Sequence, residues 1–261
     1  MFGKIRRMGR IFKKDGRALI VAMDHCSFNG TNPGLECPGK TLEEIKEGGG
    51  DAVLVNFGVA RKFERELSGL GYIARLDLPP TYMRKEHDSR LVFSAASALR
   101  LGADAVIINI GQGVGIEEKS FEGLAHTIEY CDTIGMPVCA ETVPGGFDAD
   151  SSFHALEHIA KGARIGNEIG CDFMKIRYVP GFEQIVKESF VPLVVLGGSR
   201  SENPKDFLQI VYDAVQSGAS GIAAGRNVWG GGRTVQMVKA LTAIIHKNAN
   251  VDHAYDILMS K

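Results

Sequence analysis

The segment CDFMKIRYVP (residues 171–180) is short and mostly apolar, with a single lysine, Lys175, near its centre. This composition is typical of a strand in a parallel sheet that is buried on both faces. Burial favours the neutral form of a lysine, and a neutral amine attacks carbonyl groups to form a Schiff base. Arg177 projects to the same side of the strand, so its charge would favour the neutral amine further. The alternative is a strand-end lysine that extends to solvent and has no chemical role.

Apolar runs of this kind recur along the 261-residue chain and alternate with helical patterns. Such alternation predicts a parallel sheet, and eight strand–helix units in about 250 residues predict a (β/α)8 TIM barrel. We place the strands at residues 18–23, 51–57, 71–78, 103–110, 136–142, 171–180, 191–196 and 219–224. We place the helices at residues 41–47, 59–67, 89–101, 116–134, 152–168, 181–189, 204–217 and 234–246.

The domain organisation expected from this pattern is one barrel domain over residues 1–261, with residues 1–17 as a basic lead-in segment. The main alternative is an open doubly wound sheet that binds a dinucleotide. That fold would have G-x-G-x-x-G directly after the first strand. Here the first strand runs into Asp24-His25-Cys26, which favours the barrel.

Composition excludes several classes of protein. Apolar residues make up 44% of the chain, charged residues 23%, and the formal net charge is −1, so nothing indicates a nucleic-acid or membrane surface as partner. The apolar run at residues 18–23 is too short to span a membrane and lacks a signal-peptide cleavage site. The five cysteines form no C-x-x-C pair, which indicates free thiols in a reducing compartment. We therefore expect a cytoplasmic protein.

The active site of such a barrel lies at the carboxyl ends of its strands. The residues expected there are Asp24, His25, Asn56, Asp77, Asn109, Glu141, Thr142, Lys175, Arg177, Gly197, Gly198, Ser199, Gly225 and Arg226. Phosphate is commonly bound after strands seven and eight, where this chain has its two glycine turns. Arg226 could add a bidentate, charge-assisted contact to that phosphate. Each glycine taken singly is also explained by a tight turn between strand and helix.

Three histidines and one aspartate leave a choice of roles. Asp24 within reach of Lys175 would form a proton-relay pair, and the alternative is a structural ion pair. His25 is expected to be hydrogen-bonded rather than metal-bound, because no second ligand is near it in the sequence. His154 and His158 have the i, i+4 spacing of zinc ligands, but without a third ligand we interpret them as surface residues of one helix and expect no metal. Phe12 and Trp229 are expected to be packing groups.

A family resemblance follows from segments 10–12, 16–25, 195–198 and 225–228, together with Met174-Lys175 and the tyrosine shortly after them. In order and position they resemble the class I aldolase family of archaeal fructose-bisphosphate aldolase. That family also contains aminodideoxyheptulosonate synthase and autoinducer-2 phosphate thiolase. The resemblance implies a Schiff base through Lys175, Asp24 as its polar partner, and phosphate at the two glycine turns. It implies no cofactor beyond the covalent lysine, and a homo-oligomer for which the decamer is one size.

One position departs from the family pattern. The aldolases of the family carry a tyrosine before a proline at the end of strand five as general acid/base, and here Val143 precedes Pro144. Glu141, two residues earlier on the same strand face, is the nearest substitute. Partial burial would raise the pKa of Glu141 toward neutrality, although Lys175 and Arg177 would oppose that rise.

The function expected from these residues is a Schiff-base-forming lyase that acts on a phosphorylated ketose, as fructose-bisphosphate aldolase does. One alternative is an aldol or acyl transferase of the heptulosonate synthase or thiolase type. The other is a phosphosugar-binding barrel that has lost its chemistry, an option that the missing tyrosine allows.

Overall fold

A closed barrel of parallel strands forms the centre of the protein, as a computed structural model of residues 2–83, 90–146 and 149–260 describes it. Each strand pairs with its neighbours in the sequence, and β8 pairs with β1 to close the ring. The strands are β1 (Ala18–Ala22), β2 (Ala52–Val55), β3 (Gly71–Arg75), β4 (Ala105–Ile110), β5 (Val138–Thr142), β6 (Phe173–Ile176), β7 (Leu193–Leu196) and β8 (Gly221–Ala224). The predicted (β/α)8 barrel is confirmed.

Helices surround this barrel. They are α1 (Phe2–Ile11), α2 (Cys26–Asn29), α3 (Pro38–Gly48), α4 (Phe57–Lys62), α5 (Glu64–Leu67), α6 (Ala95–Arg100), α7 (Glu117–Ile134), α8 (Leu156–Ile169), α9 (Phe182–Glu188), α10 (Pro204–Gln216), α11 (Arg226–Trp229), α12 (Thr234–Lys247) and α13 (Val251–Met259). A 3₁₀ helix (Ser151–His154) precedes α8. The glycines that follow α7 and α8, Gly135 and Gly170, have left-handed backbone conformations, and their backbone N–H groups donate to carbonyl oxygens of the last helical turn.

Several predicted helix boundaries are wrong. The helix expected from residue 41 begins at Pro38, because proline is well suited to the first helical turn. Thr41 is therefore not its cap, and its hydroxyl donates to the Gly34 carbonyl oxygen over 2.8 Å. The helix expected at residues 59–67 is divided into α4 and α5 at Phe63.

The ends of the chain are more helical than the sequence pattern indicated. The lead-in segment contains α1, and α13 follows the last predicted helix. The helix predicted from residue 89 begins at Ala95, where the Ser94 hydroxyl accepts from the amide of Ser97. Residue 89 itself lies outside the described residues.

The barrel interior is filled by side chains from alternate positions of the strands, and the lower end is closed by aromatic rings. Phe12 packs edge-to-face on Phe173 of β6, with ring centroids 5.5 Å apart, which confirms its predicted packing role. Along β6 the interior face continues from Phe173 to Lys175, since side chains of a strand alternate between its faces. In the register of the sheet, Lys175 pairs with Glu141, and Glu141 pairs with Asn109. Polar residues of three neighbouring strands therefore share one layer near the barrel mouth.

Across the ranges given above, no helix combines the length and the apolar composition that a membrane span requires.

Candidate active site

Lys175 lies at the centre of the barrel mouth and is almost completely buried. Its side chain is 8% exposed, and its Nζ lies 2.6 Å from Oε1 of Glu141, which is 1% exposed. The β5–β6 register that pairs these two residues brings the amine and the carboxylate together. The sequence alternative of a lysine extending to solvent is wrong. Glu141 is its direct ionic partner.

Arg75, the last residue of β3, connects the acidic groups of this layer. Its Nε donates to Oδ2 of Asp24 over 2.9 Å, and its Nη1 donates to Oδ1 of Asp77 over 3.2 Å. Its Nη2 donates to Oε2 of Glu141. All four side chains are buried. A planar guanidinium, with five donors in fixed directions, can contact three carboxylates at once, which a lysine ammonium does less well.

This network sets the ionisation of its acids. Burial alone raises the pKa of Asp24, but the charge of Arg75, with His25 and Lys175, outweighs burial and holds that pKa far below its ordinary value. Burial likewise acts to raise the pKa of Glu141, yet Lys175 and Arg75 lower it below its ordinary value. The pKa of Asp77 is raised, because burial exceeds the effect of Arg75 there. The sequence left the balance between burial and nearby cations open for Glu141. The structure resolves it toward a lowered pKa, and the second cation is Arg75 rather than Arg177.

Asp24 is not an ion-pair partner of Lys175. Its two oxygens face Arg75 and His25, whose Nδ1 is 3.4 Å from Oδ1 of Asp24. Lys175 acts on Asp24 only through its charge, which lowers the pKa of the carboxyl. The predicted direct pair of Asp24 and Lys175 is therefore not formed. Lys175 pairs with Glu141 instead, and Asp24 is connected to Glu141 through Arg75.

His25 lies between the end of β1 and the turn after β8. Its ring packs edge-to-face on Trp229, with centroids 5.4 Å apart, and its Nδ1 is buried without a hydrogen bond. The Trp229 indole N–H donates to the Ala22 carbonyl oxygen over 2.8 Å, which agrees with its predicted packing role. The imidazole therefore faces the turn at Gly225 and is held there by an aromatic wall.

The two glycine turns meet at the barrel edge after β7 and β8. Nη2 of Arg226 donates to the Gly198 carbonyl oxygen over 3.0 Å. The side-chain Nδ2 of Asn227 donates to the carbonyl oxygens of Gly197 and Ser199 over 2.8 and 2.9 Å. The two turns are thus tied together by consecutive side chains of α11. Nε of Arg226 is buried and has no hydrogen-bond partner.

Close backbone approach explains why both turns contain glycine. A Cβ on Gly225 would lie 2.5 Å from the Ala22 carbonyl oxygen and 2.7 Å from His25 Cε1. A Cβ on Gly197 would lie 2.5 Å from the Cβ of Ala224. Packing alone therefore requires these glycines.

Apolar groups form the side of the mouth above Glu141. Val143 is buried and has no group that can move a proton. Tyr178 is half-buried and packs on Phe182, with centroids 5.7 Å apart. Thr142, on the opposite strand face, donates its hydroxyl to the Gln112 side chain. Within this layer, Glu141 is the acid/base group nearest to Lys175.

Arg177 and His154 lie together between the ends of β5 and β6. The guanidinium of Arg177 lowers the pKa of His154, in addition to the effect of burial. His154 ends the 3₁₀ helix and is half-buried, whereas His158 is exposed on α8. The prediction that both histidines are surface residues of one helix is therefore wrong for His154. Among the residues that the structure describes, no group of three metal-ligating side chains converges.

Sequence reasoning missed two residues that organise the site. Arg75 was hidden inside an apolar run that was interpreted only as a strand, and no local signal indicated its three distant acids. Asn227 was noted only as part of segment 225–228, which carries the family resemblance. A side-chain amide directly after an arginine at the end of a strand is nevertheless a signal for a residue that bridges two turns.

Three comparisons place these features among known proteins. The sequence pattern of the DeoC/LacD family aldolases matches residues 18–231. The 2-amino-3,7-dideoxy-D-threo-hept-6-ulosonate synthase 1 of Archaeoglobus fulgidus is 36% identical over 258 residues, which cover 98% of this chain and 96% of that protein. The crystal structure of an archaeal fructose 1,6-bisphosphate aldolase superposes with a TM-score of 0.86 at 31% identity, covering 94% of this chain and 99% of that one.

A further structure, also of an archaeal fructose-1,6-bisphosphate aldolase, shows a reaction intermediate. In it the catalytic lysine is covalently bound to the carbinolamine intermediate of the substrate, and the chain superposes with a TM-score of 0.85 at 31% identity. It covers 93% of this chain and 99% of its own. Covalent chemistry on a lysine, which the resemblance implied, is thus shown for that similar protein.

Replacing Arg75 by methionine tests the network. Three buried carboxylates would lose their common cation, so the free energy of unfolding should fall by about 3–5 kcal/mol at neutral pH. In the wild type, the lowered pKa values of Asp24 and Glu141 stabilise the fold above about pH 4, and this stabilisation is lost as pH falls through the folded-state values. The raised pKa of Asp77 acts in the opposite direction, because ionising this buried carboxyl lowers the stability of the fold.

Without Arg75, burial should raise the pKa of all three acids. The deficit of Arg75→Met should therefore be largest near neutral pH and shrink toward about pH 4, as measured by urea unfolding at several pH values. The control is Lys161→Met, which removes an exposed partner of Glu157. A deficit of Arg75→Met that is independent of pH would contradict the proposed ionisation of the network.

Proposed function

Because the chain belongs to the DeoC/LacD aldolase family, we propose that it is a class I aldolase that cleaves or forms a carbon–carbon bond in a phosphorylated ketose through a Schiff base on Lys175. The observation that carries this proposal is the buried contact of 2.6 Å between Nζ of Lys175 and Oε1 of Glu141. It puts a nucleophile and a proton acceptor in one water-poor layer at the barrel mouth.

Schiff-base formation begins with the ammonium group of Lys175. Glu141 accepts one proton from it, and the neutral nitrogen attacks the ketone carbon to give a carbinolamine. The carbinolamine hydroxyl takes a proton and leaves as water, and the nitrogen lone pair forms the C=N bond. Arg75 stabilises the negative charge of Glu141 between these steps and fixes the direction of its carboxylate.

Bond cleavage uses the iminium as an electron sink. A base removes the proton of the substrate hydroxyl, the carbon–carbon bond breaks as the C=O bond of the released aldehyde forms, and the electron pair moves into an enamine. The enamine carbon then takes a proton, and water hydrolyses the iminium to release the ketone and Lys175. The reverse sequence forms the bond. We assign the proton transfers to Glu141, with Asp24 as the second acid of the network.

The ionisation of Glu141 fits a base more closely than an acid. In the free protein its pKa is lowered by Lys175 and Arg75, so it is a carboxylate when substrate arrives. Once the amine has become part of the substrate adduct, Glu141 is the neighbouring proton acceptor on the strand face where Val143 has no such group.

Phosphate recognition is assigned to the turns after β7 and β8. We assign the phosphate to the backbone of Gly197, Gly198, Ser199 and Gly225, and to Nε of Arg226, which has no hydrogen-bond partner within the chain and is suited to donate to a phosphate oxygen. His25 borders the same turn and would contact the sugar end of the ligand. In the ring order of the strands, β7 adjoins β6 and β8 follows it, so a phosphate at these turns would lie on the β7 side of Lys175.

A transferase of the same family is the second candidate. Val143 at the end of β5 favours it, because a reaction whose acceptor supplies its own proton-bearing group needs no tyrosine there. The synthase from Archaeoglobus fulgidus is also similar over nearly the whole chain. A non-catalytic phosphosugar-binding barrel is the outcome that the next experiment would reveal.

Other expectations from the sequence stay predictions. They are the single domain over residues 1–261, the homo-oligomer with the decamer as one size, and the cytoplasmic location. The five free cysteines, three of them buried, support a reducing compartment.

Two variants test the catalytic assignment. Lys175→Met should abolish both turnover and the borohydride-trapped adduct with dihydroxyacetone phosphate. Glu141→Gln keeps the shape and a hydrogen bond but cannot exchange a proton as a carboxyl does. It should lower turnover by about 10²–10⁴-fold and still form the adduct on the peptide that contains Lys175, as read by mass spectrometry.

Three results would contradict this assignment, and each points to a different alternative. Wild-type turnover in Lys175→Met would remove the Schiff base from the account. Near-normal turnover in Glu141→Gln would leave Tyr178, Asp24 or water as the acid/base. A wild-type protein that binds dihydroxyacetone phosphate but forms no adduct would be the non-catalytic barrel.

Replacing Arg226 by alanine tests the phosphate turns. Loss of a hydrogen bond to a charged group costs about 1.5–3 kcal/mol, so KM for a phosphorylated ketose should rise about 10- to 100-fold. KM for the same ketose without phosphate should change little. Arg200→Ala, an exposed arginine beside the same turn, is the control. Equal changes for both ketoses would show that Arg226 does not recognise phosphate.

A further inference from the structure

His246, in the last turn of α12, has a carboxylate at each of its two ring nitrogens. Its Nδ1 lies 2.7 Å from Oδ2 of Asp15, and its Nε2 lies 2.9 Å from Oδ2 of Asp51. A carboxylate only accepts hydrogen bonds, so both contacts are satisfied only when each ring nitrogen carries a proton. Both aspartates precede a strand, so this contact lies at the amino ends of the strands, the end of the barrel away from Lys175.

The two aspartates are held very differently. Asp51 is 4% exposed, and its Oδ2 also accepts the backbone N–H of Leu19 in β1 over 2.7 Å. Asp15 is 36% exposed and belongs to the floor segment, residues 12–17, which connects α1 to β1. A neutral imidazole donates from one nitrogen only. It would keep its bond to the fixed Asp51, and its other nitrogen would then turn a lone pair toward the carboxylate of Asp15.

A second contact ties the floor segment to the same helix end. Nη1 of Arg17 donates to the Ile245 carbonyl oxygen over 2.7 Å and to Oδ1 of Asn248 over 2.8 Å. Arginine does not lose its proton in proteins, so this contact does not change with pH. The floor segment therefore has one permanent contact, at Arg17, and one that depends on the proton of His246, at Asp15.

The floor segment carries the ring that closes the barrel from below. Phe12 is its first residue, and its ring packs on Phe173 with centroids 5.5 Å apart. Phe173 precedes Lys175 by two residues within β6, so the two side chains share one face of the strand. The contact of Asp15 with His246 thus holds the chain three residues after the ring that lies beneath the site.

Other groups around the imidazole do not replace its proton. Nζ of Lys13 lies 3.4 Å from Oδ1 of Asp51, the oxygen that the imidazole does not contact. The helix α3 packs on α12, and there the Thr242 hydroxyl donates to the Gly49 carbonyl oxygen over 3.3 Å. At this end α3 therefore contributes backbone to the contact with α12.

The helix α13 also packs on α12, and its first acid, Asp252, pairs with Lys205 at 2.7 Å. The proton of the imidazole is therefore held by Asp51 and Asp15. The hydrogen bond to Asp51 raises the pKa of His246 above its ordinary value of about 6.5, burial opposes this rise, and the hydrogen bond to Asp15 adds to it.

We infer that His246 is a proton-dependent latch, which holds the floor segment against the barrel while both ring nitrogens donate, and which frees Asp15 when the imidazole gives one proton to solvent. This inference is independent of the reaction at the barrel mouth. A histidine whose pKa is raised on folding stabilises the closed floor fully below about pH 6.5, and this stabilisation is lost as pH rises through the folded-state pKa. The floor segment is therefore closed in neutral and acid solution and opens on the alkaline side.

Hydrogen exchange of the floor segment tests the latch. Exchange in the whole protein is followed by mass spectrometry between about pH 5 and about pH 9, and each rate is divided by the intrinsic rate at that pH to give a protection factor. The variants are Asp15→Asn, which removes the charge but keeps an oxygen for the Arg17 amide, and His246→Gln. The control is His126→Gln, because His126 is exposed on α7.

The expected result is confined to the floor segment. In the wild type and in His126→Gln, its protection should be constant below about pH 6.5, fall by up to about tenfold per pH unit above it, and then level off. In Asp15→Asn this fall should be absent, because the side-chain amide can donate to the neutral ring. In His246→Gln protection should be low at every pH. The strands of the barrel should keep their protection throughout.

Three results would overturn the inference. They are protection of the wild-type floor segment that does not depend on pH, an equal fall in Asp15→Asn, and a parallel fall over all strands. A measurement without variants decides the same question if the substitutions impair folding. Long-range proton–nitrogen NMR of the wild type should show both ring nitrogens of His246 protonated at about pH 6, and a neutral ring at that pH would contradict the latch.

Discussion

The contact on which the site depends is the burial of Arg75 among Asp24, Asp77 and Glu141. Four charged side chains in one buried layer are costly to desolvate, and only mutual pairing with good geometry offsets that cost. In return, the guanidinium fixes two carboxylates as anions and aims one of them at Lys175. The barrel supplies the position of each group, and Arg75 and Lys175 together hold the pKa values of Asp24 and Glu141 below their ordinary values.

The other polar groups of the site follow the neighbouring strands of the barrel. Towards β7 and β8, two glycine turns bridged by Arg226 and Asn227 present donors suited to phosphate. Towards β5, Arg177 and His154 have unpaired nitrogens. Lys175 lies in the buried layer itself, where its Nζ contacts Oε1 of Glu141.

The sequence predicted the frame well because its signals are local. Each strand is an apolar run bounded by glycine or polar residues, and the order of strands and helices specifies the barrel. Lys175 and the glycine turns were found because the carboxyl ends of strands are predictable. Arg75 was not found, because its acids lie 51 and 66 residues away for Asp24 and Glu141. The direction of the pKa shift of Glu141 was left open for the same reason, because it depends on a cation from a distant segment. His154 was placed on the wrong helix.

The ionisation of Glu141 is the most direct test of this account. Glutamate labelled with carbon-13 at the side-chain carboxyl would be followed by NMR through a pH titration, with Glu141→Gln identifying the resonance. We expect the resonance to show a carboxylate at about pH 5 and to titrate below the ordinary value of about 4.3, because Lys175 and Arg75 hold its charge. A midpoint above about pH 5 would show that burial prevails, and it would contradict the claim that Arg75 keeps Glu141 ready as a base beside Lys175.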